Sequence, residues 1–173
     1  MTTTTETTTA RDTRSLLAET EFDGVTATVL DNNPGMTPEL ADRITLEALA
    51  FVATCAVNPG AGLAPSPVVD EGWHALILHT DLYARLCARL GVFVHHYPER
   101  PGATGGFRPD VIEYTLDTMR AAGFTPDLAL WVGPTESPFT VAAPTWHSPT
   151  CGIKPMPSPQ CLSDPKETPI KPA

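Results

Sequence analysis

No stretch of this 173-residue chain approaches the roughly 20 consecutive apolar residues that a membrane-spanning helix needs. The beginning, MTTTTETTTA, has neither the basic start nor the apolar core of a secretory signal. Positive charge is scarce: 11 Lys and Arg stand against 20 Asp and Glu, for a formal charge of −9. The basic residues are scattered, which argues against a phosphate backbone as partner, since such binding depends on clustered Lys and Arg. Glycines fall in breaker positions and never between a strand and a helix, so no phosphate-cradling loop is read. The sequence therefore predicts a cytoplasmic chain with no nucleic-acid and no membrane partner.

Cysteine is also sparse. The four residues, Cys55, Cys87, Cys151 and Cys161, include no pair at zinc-knuckle spacing. A reducing cytoplasm makes structural disulfides an unlooked-for feature, and Cys55 and Cys87 sit within apolar helical patterns as small buried hydrophobes do. Both ends lack core-forming residues. The N-terminal tract is nearly all Thr, and residues 134–173 hold ten of the nineteen prolines with only scattered apolar positions. No helical or strand period survives there. This predicts a disordered Thr-rich tail at 1–12, one domain at 13–132 and a disordered Pro-rich tail at 133–173.

What is present between the tails is helical punctuation. Asp12 or Thr13 caps a first helix carrying Leu16, Leu17, Phe22, Val25 and Val29, which stops at the breaker cluster Asn32 to Gly35. Thr37 then caps a second helix with Pro38 at its first position, and Leu40, Ile44, Ala48, Phe51, Val52 and Cys55 recur at steps of three and four. Ser66 and Pro67 repeat the same grammar, and Gly91 closes the segment they open. Thr80 and Asp81 offer a second cap that would split this segment in two. Val92 to Val94 read as extended. Pro109 opens a last helix, Gly123 ends it, and Phe124 to Trp131 follow as a short capping segment. The predicted fold is all-α, a compact bundle of four to five helices.

The stretch from Asp70 to Tyr97 concentrates the chemistry. It holds four of the five histidines, one cysteine, a Trp and two Tyr in 28 residues. On a helix, Asp70 and His74 lie one turn apart, so the carboxylate can ligate a metal beside the imidazole or fix its tautomer. His79, Tyr83 and Cys87 form a second stripe, with a thiol that would admit zinc. His74 and His79 are five apart, about 140° around the helix, so the His-x-x-x-His geometry is absent. An extended segment sends His95 and His96 to opposite sides, so at most one of them can face His74. The plainer alternatives are an Asp favouring the helix dipole, a buried Tyr with its hydroxyl satisfied, and a buried Cys.

The ordered set Asp70, Trp73-His74, Leu78-His79, Tyr83, Cys87, Gly91 and His96 resembles the glycine-rich domain-containing protein-like family. The segments LADRITLEALAFVATCA and SPVVDEGWH resemble its short bacterial, actinobacterial branch, over roughly residues 37–131. The resemblance implies no established activity or ligand. It carries over the polar set Asp70, His74, His79, Tyr83, Cys87 and His96. The tail departs from the Cys/His-rich end pictured for that branch, having only His147, Cys151 and Cys161 spread among prolines.

Three functions follow as expectations. The leading one is a divalent metal protein, zinc favoured, with Asp70, His74 and His96 as ligands and His79, Tyr83, Cys87 and His95 as supporting or alternate ligands. The second is a metal-free interaction or scaffold module with an unidentified protein partner, whose Trp-His motif knits the core. The third is an accessory or tailoring enzyme of a biosynthetic cluster, with His74 as general base.

Overall fold

The computed structural model describes residues 11–97, 108–133 and 141. Both expected tails lie almost wholly outside these residues. Among the described residues the protein is all-α, with five helices: α1 (Glu19–Asn32), α2 (Pro38–Val57), α3 (Pro67–Leu78), α4 (Thr80–Leu90) and α5 (Pro109–Ala121). Short 3-10 turns at Arg14–Leu16 and Leu128–Leu130 flank them.

The helix α2 is the axis of the bundle because its apolar residues leave no polar stripe. From Ala41 to Ala56 it buries Ile44, Leu49, Phe51 and Val52 completely, and α1, α3, α4 and α5 all pack on it. Its N-terminus is formed as the sequence predicts. The Thr37 hydroxyl accepts from the Leu40 amide, and Pro38 occupies a position that has no backbone hydrogen bond to lose. Thr45 and Thr54 tolerate full burial because each hydroxyl donates to the carbonyl four residues earlier, at 2.9 Å and 2.7 Å.

The closest approach of α2 and α3 is at Gly72. A Cβ there would lie 2.8 Å from both the Ala48 Cβ and the Ile44 carbonyl oxygen, so only glycine lets the two helices meet at this distance. Asp70, Trp73 and His74 surround that contact on α3, and the contact fixes their height along α2.

Two sequence expectations are corrected. The first helix does not run on from Asp12 or Thr13. Arg14–Leu16 is a separate 3-10 turn, Leu17 and Ala18 are extended, and α1 starts at Glu19. The Ala18 amide donates to the Glu21 carboxylate, which supplies the capping bond that Asp12 cannot. The second correction is at the break between α3 and α4. It falls where Thr80 and Asp81 suggest a cap, but His79 is the cap residue and makes no side-chain capping bond. Its ring is engaged instead with Thr28 on α1, its Nε2 lying 2.8 Å from the Thr28 Oγ1.

The far end of the bundle is closed by the Leu128–Leu130 turn. The Ser66 hydroxyl donates to the Leu130 carbonyl at 2.5 Å while also capping α3, so one side chain ties the turn to the helix that carries Asp70.

Candidate metal site

The helix α3 brings Asp70 and His74 to one face, as their spacing requires. The Asp70 carboxylate is buried, 1% exposed, and its Oδ2 is 3.7 Å from the His74 Nε2. The third group arrives from beyond α4. Gly91 turns the chain with a φ of 84°, residues 93–97 run on outside any helix, and His96 places its Nε2 3.0 Å from the Asp70 Oδ1. The two imidazole rings lie 4.5 Å apart, centroid to centroid. Asp70, His74 and His96 can each offer one ligand atom, and the three atoms fall within 4.8 Å of one another. This is a group that could bind a metal ion, open to water on the side of His74, whose side chain is 26% exposed against 9% for His96.

The other candidate residues lie elsewhere. His79, at the α3–α4 break, faces Thr28 on α1. His95 turns away from His96, packing against Phe93 at 4.7 Å and Tyr97 at 6.0 Å. It lines a cleft of about 290 Å³, counting the open mouth, with Phe51, Cys55, Asn58, Leu63 and Val94. Tyr83 and Cys87 are buried behind the site. The Tyr83 hydroxyl donates to the Val94 carbonyl at 2.5 Å and accepts from the Trp73 Nε1 at 2.9 Å. Burial pushes the phenol well above its usual range and keeps it protonated. Burial also pushes the Cys87 thiol up, against hydrogen bonds with the Val94 backbone and Tyr83 that favour the thiolate. Neither residue stands among the three that gather. Among the described residues Cys55 and Cys87 are not joined in a disulfide.

Trp73 forms the inner wall. Its ring meets His96 at 4.7 Å and Phe51 at 5.3 Å, both edge to face. The indole thus limits how far His96 can swing from Asp70. A family model described as UCP032817-like matches residues 13–101. The chain belongs to the UCP032817-like family. That description names no activity, ligand or partner.

This membership corrects the resemblance to the glycine-rich domain-containing protein-like family, to which the match does not point. The physical reason is visible in the UCP032817-like fold itself. Trp73, Tyr83 and Cys87 occupy buried positions that a packed helix pair demands, so their order along the chain reports packing as much as ancestry. No curated protein and no solved structure matches this chain.

Sequence reasoning missed two buried acids. Glu71, 1% exposed, accepts from the Asn33 Nδ2 at 3.0 Å, and the same amide group donates to the Val29 carbonyl at 2.7 Å. Glu47 accepts from the Trp131 Nε1 at 2.6 Å and from the Asp127 amide at 2.9 Å. Burial pushes its carboxyl above the usual range, and those two bonds pull it back. The signal for both lies in the helix pattern. Where apolar residues surround a helix on every side, its charged residues have nowhere to go but inward.

Proposed function

We propose that this protein binds one divalent transition metal, zinc being favoured, through Asp70, His74 and His96. The observation that carries the reading is the convergence of three ligand atoms within 4.8 Å around a carboxylate that is 1% exposed. A buried carboxylate between two imidazoles is an arrangement that a divalent cation would hold together better than the side chains alone do. Two imidazole nitrogens and one carboxylate oxygen suit zinc, and three protein ligands leave a coordination position for an outside molecule, as in catalytic rather than structural zinc sites. The same set with open positions also suits ferrous iron. We also propose a cytoplasmic setting, a reducing compartment in which buried cysteines such as Cys55 and Cys87 stay unoxidised. Among the described residues no helix is long and apolar enough to cross a membrane.

A second reading has its own support. The 3.0 Å contact between Asp70 and His96 already pairs these groups without an ion, so the cluster could serve as a buried polar knot in a metal-free interaction module. Metal content of protein prepared without a histidine tag separates the two. Stoichiometric metal that is lost in His74→Ala and His96→Ala supports the first reading; none bound and none taken up supports the second.

A further inference from the structure

Asp70 and His74 are fixed on the helix α3, but His96 comes from a segment that is neither helix nor strand. Ligand atoms must sit within a few tenths of an ångström of their bonding distance, so something has to hold this segment. The structure shows what does so. Val94, two residues before His96 and 2% exposed, is gripped by its backbone. Its carbonyl accepts from the Tyr83 hydroxyl at 2.5 Å, and its backbone draws the Cys87 thiol toward the thiolate against the larger effect of burial. Tyr83 and Cys87 are one turn apart on α4, so they meet the same backbone unit together. The neighbouring Phe93 ring stands edge-on to the Tyr83 ring at 5.4 Å and 88°.

The same Tyr83 oxygen reaches back to α3. It accepts from the Trp73 Nε1 at 2.9 Å, and the Trp73 ring faces His96 at 4.7 Å. One hydroxyl therefore joins the helix that carries Asp70 and His74 to the segment that carries His96.

We propose that Tyr83, with Cys87, is a positioning clamp that sets His96 against Asp70 and His74 and so tunes the affinity of the site for a divalent metal. This rests on the metal-binding reading above. The clamp accounts for the second stripe of α4 without making its phenol or thiol a ligand. Removal of the hydroxyl leaves all three ligand side chains in place, frees the segment that delivers one of them and takes away the acceptor of the Trp73 indole.

The test is a zinc titration against a competing chromophoric chelator, on tag-free full-length protein, at a temperature where circular dichroism shows every variant folded. Tyr83→Phe is expected to weaken zinc binding by about ten-fold or more while still taking up one ion per chain. Because the clamp acts through His96, the residual zinc binding that the titration reads in His96→Ala, too weak to survive gel filtration, should be no weaker when Tyr83→Phe is added. Tyr114→Phe, at a tyrosine 52% exposed on α5, should match the wild type. Affinity of Tyr83→Phe within about two-fold of wild type overturns the clamp, even if its melting temperature falls, and so does full additivity with His96→Ala. Should Tyr83→Phe not fold, Cys87→Ala takes its place, with a several-fold loss and the same non-additivity expected; an unchanged affinity there overturns the proposal. A wild-type chain that binds no zinc overturns the metal reading and the clamp with it, which distinguishes that failure from a failure of the clamp alone.

Discussion

The Asp70 carboxylate and the His96 imidazole meet at 3.0 Å across 26 residues of chain, with the whole of α4 between them. No local preference produces such a contact. It depends on α4 packing against α3, on the turn at Gly91, and on the grip of Tyr83 on Val94. The elements that join these two groups can be perturbed one at a time.

Gly72→Ala tests the height of α3 on α2. Alanine favours a helix over glycine by up to about 1 kcal/mol, but the added Cβ would meet the Ile44 backbone oxygen and the Ala48 Cβ at 2.8 Å. Overpacking of this kind typically costs about 1–3 kcal/mol. Urea unfolding should show a net loss of stability, and an alanine variant as stable as wild type or more so would mean that the helices can part here freely.

His79→Ala separates the histidine that looks like a ligand from those that gather. Its ring bridges to Thr28, so its loss should lower stability by about 1 kcal/mol, as loss of one hydrogen bond does. Zinc affinity should stay within about two-fold of wild type. A large drop in affinity would place His79 in the site and would contradict the geometry.

The sequence was most informative where physics is local. Thr37 with Pro38, Ser66 with Pro67, and Gly91 at a positive φ mark helix ends in the structure because capping is settled within four residues. The Asp70–His74 pair is equally local, being one turn of α3. The start of α1 was not legible, because Glu21 rather than Asp12 or Thr13 supplies the bond to its cap residue. The partners of His96, His79 and Glu47 were not legible either. Each is met across a gap in sequence of 26 to 84 residues. For Tyr83 and Cys87 the residue types pointed to ligation, while their burial against Val94 gives them partners other than an ion.

Glu47 gives the fold a pH-dependent component. Its carboxyl is raised above the ordinary 4.5, chiefly by burial, so the stability it contributes is fully present below that value and is lost as the pH rises through its folded-state value. Glu47→Gln cannot ionise, but it keeps only one oxygen for the two donors, the Trp131 indole and the Asp127 amide. The variant should be less stable than wild type at pH 4.5, and the gap should narrow as the pH rises. Denaturant melts across that range check this; a gap that widens with pH would have the sign wrong.

Cys87 should be inert in the folded protein. It is fully buried, its thiol is pushed up by that burial, and only the thiolate reacts. Alkylation followed by peptide mass spectrometry should find Cys87 unmodified under native conditions at pH 8 and modified in denaturant. Rapid native labelling would show that the α4 packing opens readily and would weaken the case for a clamp there.

The most direct test of the metal reading is the metal content of tag-free protein, measured by inductively coupled plasma mass spectrometry before and after incubation with zinc and gel filtration. The account predicts about one zinc per chain in the wild type, from the single three-ligand group among the described residues. It predicts loss of that zinc in Asp70→Asn, His74→Ala and His96→Ala, each still folded by circular dichroism. Wild-type protein that carries no metal and takes up none, or zinc retained undiminished in all three variants, would contradict it.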